Sequence, residues 1–152
     1  MTIEDRLIGL GITLPSAPRP LASYVTFVRA GNLVWTSGHG PTGPDGKLVV
    51  GKVGADLTVE EGQVAARYTC INLIATLKDN LGSLDRVTRI VKVLGMVNCL
   101  PEFGQHPAVI NGCSDLLVEV FGDAGRHARS AVGMGSLPLG MAVEIELVAE
   151  VD

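Results

Sequence analysis

The sequence predicts one α+β domain in which a mixed β-sheet carries two helices on one face. Two long segments, at about residues 58–80 and 103–121, repeat apolar side chains at helical spacing. Runs rich in β-branched residues precede, separate and follow these segments. The chain has 152 residues, of which 47% are hydrophobic, and this is enough to enclose one core. After a short N-terminal helix, the expected order is therefore β-β-(β)-α-β-α-β-β.

An N-terminal extension of about 20 residues precedes the predicted sheet. A short helix is expected from Thr2 to about Leu10, with Thr2 or Asp5 as its cap. Regular structure should then stop, because three prolines follow closely: Pro15, Pro18 and Pro20.

Two strands are predicted at residues 24–29 and 32–36, joined by a hairpin at Ala30-Gly31. Residues 47–50 could add a third short strand after the turn at Pro44-Asp45-Gly46. The first long helix should begin at Thr58, because Thr58 and Glu61 form a capping box. Its end is expected before Gly82, a residue suited to a left-handed C-terminal cap.

The C-terminal half predicts a strand at 89–97, a helix at 103–121 that stops at Gly122, and a short strand at 129–132. A turn at 137–140 leads to a final strand, where apolar residues alternate with Glu144 and Glu146. Helices on one face would leave the other face of the sheet without cover. Much of that face is apolar, so we expect an oligomer to cover it.

Composition argues against several functional classes. The net charge is −4 and the cations are scattered, whereas a nucleic-acid-binding protein needs a clustered basic face. No apolar run of about 18 residues predicts a membrane-spanning helix, and acidic residues near the N-terminus do not fit a signal peptide. The three cysteines have no metal-site or disulfide spacing, so we expect buried thiols in a reducing cytoplasm.

Three stretches of the sequence resemble the Rid family, the reactive intermediate deaminases also called the YjgF family. The first is Tyr24 with the segment Leu33-Val34-Trp35-Thr36-Ser37-Gly38, and the second runs from Gly46 through the long helix to Phe103. The third is the most specific, because Ala128-Arg129-Ser130-Ala131-Val132, Leu137-Pro138 and Val143-Glu144-Ile145-Glu146 match in residue type and spacing. Together they cover about residues 20–152.

The resemblance implies a chorismate-mutase-like fold and a homotrimer with its sites at the subunit interfaces. It also implies hydrolysis of reactive 2-imino or enamine acids to 2-oxo acids and ammonia, with neither metal nor cofactor. The sequence itself contains no metal-ligand spacing and no phosphate-binding glycine loop. A non-catalytic trimer that binds small carboxylates is the alternative, and a ribonuclease is disfavoured by the acidic charge.

The family's site residues map onto nine positions. Arg129 would hold the substrate carboxylate, since a guanidinium donates two parallel hydrogen bonds to it. Glu144 would orient water and move protons, although a solvated strand face explains it equally well. The remaining positions would line the pocket or bind substrate, with backbone groups near Ser37 and Arg129 contributing: Tyr24, Ser37, Gly38, His39, Asn111, Ser130 and Ala131.

Two positions depart from the best-known family members. Ala131 stands where they carry a cysteine, and His39 stands where they often carry a glutamine. A histidine beside a pocket can act as an acid or a base near neutral pH, or it can simply lie in a surface loop. These departures indicate a divergent subgroup.

Overall fold

Three helices and five strands make up the computed structural model, which describes all 152 residues. The helices are α1 (Ile3–Gly9), α2 (Val59–Leu81) and α3 (His106–Phe121). The strands are β1 (Phe27–Ala30), β2 (Leu33–Thr36), β3 (Val87–Asn98), β4 (Ala128–Met134) and β5 (Val143–Val151). Short 3-10 turns lie at Leu84–Arg86, Gly122–Gly125 and Pro138–Gly140.

The strands form one mixed sheet in the order β1-β2-β5-β3-β4. Only β3 and β4 run parallel, with α3 between them in the chain, while every other pair is antiparallel. The helices α2 and α3 pack together and against the sheet around a core of 29 buried residues. The predicted mixed sheet with two helices on one face is therefore confirmed.

Local sequence signals account for α2. The Thr58 side chain accepts from the Glu61 backbone N–H, and the Glu61 side chain accepts from the Thr58 N–H, each at 3.0 Å. This predicted capping box supplies acceptors for two N–H groups at the helix start. At the other end Gly82 has φ 80°, which favours glycine. Helix α3 packs closely against α2 at Gly112, because a Cβ at this position would collide with the Gln63 backbone carbonyl.

Three boundaries differ from the predicted ones. The first strand begins at Phe27, so Tyr24 lies in the segment before it. Residues 47–50 form only isolated bridges, Thr42 with Leu48 and Val50 with Met141, instead of a third strand. Helix α3 begins at His106, not at residue 103, because Pro107 is tolerated only in a first turn.

One face of the sheet is left without helices. On β5 the residues Val143, Ile145 and Leu147 are buried against the helices, and the alternate residues point the other way. We call the second side the uncovered face; the register places these residues on it: Val28, Trp35, Leu94, Val132, Glu144, Glu146 and Val148. Val28 is 51% and Trp35 41% exposed in the single chain, so this face is partly apolar, as predicted.

None of the helices is long and apolar enough to cross a bilayer.

The N-terminal extension is helical where predicted. Thr2 and Asp5 form a capping box at the start of α1, with hydrogen bonds of 3.0 and 2.9 Å. Leu7 is buried in the core, and Ile12 and Leu14 pack against its surface. No regular element occurs between α1 and β1, where the three prolines lie.

Candidate functional site

A cavity of about 280 Å³ lies where the segment after β2 passes the start of β5. Five of the predicted site residues line it: Tyr24, Ser37, Gly38, His39 and Glu144. The N-terminal extension also contributes to its wall through Pro18, Arg19 and Leu21. The structure therefore brings these five residues together, and it adds residues of the extension that the sequence analysis did not single out.

Backbone pairing fixes the position of the Ser37–His39 segment. The Thr36 hydroxyl accepts from the Leu147 N–H at 3.0 Å, and the His39 N–H and C=O pair with Ile145 at 2.9 and 3.1 Å. Gly38 lies between these two attachments and directly against Glu144. A Cβ at Gly38 would be 2.7 Å from the Glu144 Cδ, so a larger residue here would require the Glu144 side chain to move.

His39 is 3% exposed and both of its ring nitrogens are engaged. Nδ1 lies 2.8 Å from the Ser37 carbonyl oxygen, and Nε2 lies 2.7 Å from the Thr76 hydroxyl. The carbonyl can only accept, so Nδ1 carries the proton and Nε2 accepts from Thr76. Burial lowers the pKa of His39, although the hydrogen bond to Ser37 opposes the shift. This environment favours a neutral, structural histidine that ties the cavity wall to α2.

Two further polar groups shape the cavity wall. The Ser37 hydroxyl oxygen is buried and has no hydrogen-bond partner, and an unsatisfied buried polar atom is costly. Asn72 of α2 donates to the carbonyl oxygens of Gly40 and Thr42, at 3.0 and 3.1 Å. Asn72 thus holds the loop, while Ser37 retains an unused donor and acceptor at the cavity.

Glu144 is half-buried on the uncovered face. Burial raises its pKa above the ordinary value, and the neighbouring carboxylate of Glu146 raises it further. A carboxyl group with a raised pKa is better suited to both accepting and returning a proton near neutral pH.

Two other predicted site residues, Asn111 and Arg129, lie at the opposite edge of the sheet. They belong to a cluster that we call the β4 edge: Asn111, Ser114, His127 and Arg129. Arg129 donates from Nη1 to the Asn111 amide oxygen at 2.8 Å and to the Ser114 hydroxyl at 3.2 Å. No carboxylate forms an ion pair with it. Its Nε and Nη2 therefore remain free to donate as a fork.

A chain of hydrogen bonds continues behind Arg129. The Ser114 hydroxyl lies 2.9 Å from the Nε2 of His127, whose Nδ1 lies 2.7 Å from the Gly125 carbonyl oxygen. Nδ1 must donate to that carbonyl, so Nε2 accepts from Ser114 and the Ser114 oxygen is free to accept from Arg129. Burial is the main cause that lowers the pKa of His127, and the positive charge of Arg129 adds to it.

The sheet register places Arg129 and Glu144 on opposite faces. Arg129 pairs with the buried Val93, which in turn pairs with the buried Leu147, so it points toward the helices. Glu144 pairs with Met96 and hence with Val132 on the uncovered face. A single chain does not bring the two side chains to one ligand.

The other two predicted residues also divide between the faces. Ser130 lies on the uncovered face, where its hydroxyl accepts from Lys92 Nζ at 3.0 Å. Ala131 is partly buried and packs against the core. His, Cys, Asp and Glu side chains form no group of three or more with the geometry to hold a metal ion.

Comparison with known protein families identifies the family of this chain. Residues 4–151 match the family model described as "YjgF/chorismate mutase-like, putative endoribonuclease". The chain belongs to the YjgF family. The predicted family membership and its chorismate-mutase-like fold are therefore confirmed.

Similar proteins within the YjgF family occur in distant organisms. Protein TCP17 of Trypanosoma cruzi is 44% identical over 151 residues, which is 99% of this chain and 94% of that protein. The crystal structure of Atu1372 from Agrobacterium tumefaciens is 44% identical, with a TM-score of 0.91 over 99% of this chain and 94% of that one. E. coli TdcF with bound serine is 26% identical, with a TM-score of 0.65 over 90% of this chain and 94% of that one.

Sequence reasoning within the YjgF resemblance missed several polar residues that shape the site. Ser114 stands three positions after Asn111 on α3, and that spacing alone places both on one helix face. Thr76 and Asn72 also stand four apart on α2 and face the cavity loop. His127 gave no comparable signal, because its contact with Ser114 depends on how β4 packs against α3.

Proposed function

We propose that this protein hydrolyses 2-imino or enamine acids to 2-oxo acids and ammonia. The observation that carries the proposal is the free fork of Arg129. Its Nη1 is oriented by Asn111 and Ser114, and no acidic side chain competes for Nε and Nη2. A substrate carboxylate would accept two parallel hydrogen bonds from this edge, which gives both affinity and orientation.

Glu144 would supply the proton transfers. The substrate reacts as the protonated imine. The ionised Glu144 carboxylate accepts a proton from water as the water oxygen attacks the imine carbon, and a neutral carbinolamine forms. The protonated Glu144 then gives that proton to the carbinolamine nitrogen. As the C–N bond breaks, the Glu144 carboxylate accepts the hydroxyl proton, the C=O bond of the 2-oxo acid forms, and the departing ammonia takes up this proton as ammonium. The raised pKa of Glu144 supports this role. Ser37, with its unpaired hydroxyl, would hydrogen-bond the substrate or the attacking water.

Arg129 and Glu144 would meet only between two chains, and a homotrimer with its sites at the subunit interfaces would bring them together. The partly apolar uncovered face supports such an assembly, because large exposed apolar patches are typical of protein interfaces. Closed rotational symmetry would repeat the same contact at each interface and produce identical sites.

Two observations support the substrate class and the compartment. The related TdcF has a bound serine, a small amino acid with a carboxylate. A carboxylate is the group that we propose Arg129 binds in the substrate. All three cysteines of this chain are buried and free, which agrees with a reducing cytoplasm as its location.

The deciding experiment measures ammonia and 2-oxo acid release from freshly generated 2-iminobutanoate. Charge-assisted hydrogen bonds contribute about 1.5–3 kcal/mol each. Losing two of them in Arg129→Ala should therefore lower kcat/KM at least about 100-fold. Lys47→Ala is the control, because Lys47 is an exposed cation in a loop outside the sheet and its side chain makes no hydrogen bond or ion pair. A folded wild type that releases ammonia no faster than the spontaneous reaction would refute the deaminase.

A second function, carboxylate binding without turnover, is favoured by His39. Both of its ring nitrogens are engaged inside the protein, so Glu144 is the one predicted acid or base that faces the cavity freely. In this case Arg129→Ala would abolish binding of 2-oxobutanoate in an NMR titration, while wild type and variant would release ammonia at the same rate.

A further inference from the structure

The N-terminal extension is anchored at its start. Glu4 accepts from Lys78 Nζ and from the Leu84 N–H, both at 2.9 Å, and Arg6 Nη1 donates to the Val120 carbonyl at 3.0 Å. These contacts tie α1 to the ends of α2 and α3. The extension is therefore a fixed part of the domain up to the point where it leaves α1.

From α1 the chain leads to the cavity through residues that pack on the core. Ile12 and Leu14 contact the core, and Pro18, Arg19 and Leu21 then form part of the cavity wall. Arg19 stands between Pro18 and Pro20. A residue before proline is restricted to extended conformations, so the backbone presents Arg19 with little freedom.

The guanidinium of Arg19 has no partner within the protein. It makes no ion pair with any of the acidic residues and donates no side-chain hydrogen bond, although Arg6, Arg29, Arg86 and Arg129 all do so. It lines the same cavity as the unpaired Ser37 hydroxyl and Glu144. The cavity wall thus contains an unused cation that the reaction proposed above does not require.

We propose that Arg19 binds a second acidic group and selects 2-imino acids whose side chain carries a carboxylate. The inference rests on the proposed function, in which Arg129 holds the carboxylate common to all 2-imino acids. A cavity of about 280 Å³ admits only a small ligand, so a four-carbon diacid is a suitable size. In the proposed trimer one carboxylate would meet Arg19 of the chain that forms the cavity and the other would meet Arg129 of a neighbouring copy, and Glu144 would act on the imine carbon between them.

The proposed selectivity arises because Arg19 has different partners with the two kinds of substrate. With a monocarboxylic substrate the guanidinium stays hydrated at the cavity wall and contributes little. With a diacid it forms charge-assisted hydrogen bonds to the second carboxylate, and the planar guanidinium fixes the orientation of that group. The predicted effect is therefore on the preference between substrates.

The test compares 2-iminosuccinate with 2-iminobutanoate, each generated in place by an amino acid oxidase. In the wild type kcat/KM should favour 2-iminosuccinate, and Arg19→Gln should lower the ratio of the two values at least tenfold. Lys47→Gln, which removes an exposed cation that does not line the cavity, should leave the ratio at the wild-type value. An equal fall for both substrates in Arg19→Gln, or no fall for either, would overturn the inference.

Binding of unreactive acids separates this inference from the proposed deaminase. Succinate and butanoate are titrated by NMR into the wild type and Arg19→Gln. If no imine is hydrolysed but succinate binding weakens at least tenfold in Arg19→Gln, the acid-binding site stands and the deaminase does not. If the wild type binds succinate no better than butanoate, the inference fails whatever the turnover.

Discussion

Polar side chains have different structural roles in the cavity and at the β4 edge. At the cavity, buried groups hold a loop: His39 bridges the Ser37 carbonyl and Thr76, and Asn72 bridges two more carbonyls. At the β4 edge, the polar groups hold a side chain, since Asn111 and Ser114 orient one nitrogen of Arg129. One region fixes a backbone around a space, and the other orients a single charged side chain against α3.

The difference explains why each region is incomplete by itself. The cavity has a carboxylate, Glu144, and an unsatisfied hydroxyl, Ser37, whereas the β4 edge has a cation with a free fork. The alternation of side chains along a strand places Arg129 and Glu144 on opposite faces of one sheet. Their complementary chemistry and their separation together favour a site built from two copies of the chain.

The largest expected effect comes from disrupting the proposed homotrimer. Trp35→Glu places a charge on the uncovered face, where burying it in an interface would cost far more than burying the indole. We expect the wild type to have about three times the chain mass of 15.9 kDa in light scattering, and the variant to be monomeric and inactive.

Ile8→Glu is the control for this change, because Ile8 is an exposed apolar residue on α1, away from the uncovered face. It should remain assembled and active. A wild type with the mass of one chain, or a Trp35→Glu protein that stays assembled, would contradict a site shared between copies.

The next effect separates chemistry from binding at the cavity. Glu144→Gln should lower kcat by about 100-fold to 10,000-fold, as expected for loss of a general base, while 2-oxobutanoate binding persists. Glu146→Gln is the comparison, since Glu146 raises the pKa of Glu144 through its like charge. Its removal lowers the pKa of Glu144, so the acid limb of kcat/KM should move to lower pH. Full activity in Glu144→Gln would remove Glu144 from the mechanism.

The smallest effect tests how the cavity loop is held. The pKa of His39 is lowered in the folded protein, so neutral His39 stabilises the fold fully above its unfolded pKa of about 6.5. This stabilisation is lost as pH falls from there through the lower folded pKa, with a slope of at most about 1.4 kcal/mol per pH unit. His39→Gln should flatten the dependence of the unfolding free energy on pH. Urea denaturation of both proteins at several values between about pH 7.5 and about pH 5 measures this dependence. Identical slopes in the two proteins would contradict a neutral buried His39.

Much of the fold could be predicted because its signals are local. The capping box at Thr58, a cap at Thr2 or Asp5 and the glycine at position 82 act within a few residues, and each of these helix ends lies where it was predicted. The alternation on β5 likewise follows from a period of two. The strand predicted at 47–50 was wrong, because strand pairing depends on residues that are distant in the sequence. Val50 pairs with Met141 only through an isolated bridge.

The candidate site divides in the same way. The family resemblance assigned Tyr24, Ser37, Gly38, His39 and Glu144 to one pocket, and all five line the cavity. The sequence could not reveal that His39 is saturated by Ser37 and Thr76, because Thr76 is 37 residues away on a helix. It also gave no sign that the extension leads Arg19 to the same wall.

By itself the sequence determined where helices start and stop, which strand residues are apolar, and which chemical groups are available. Those properties follow from short-range hydrogen bonding and from the periods of helix and strand. Only the tertiary structure decided which groups share a space. The register across β5, β3 and β4 sends Arg129 toward the helices and Glu144 to the uncovered face, and no local pattern sets that register.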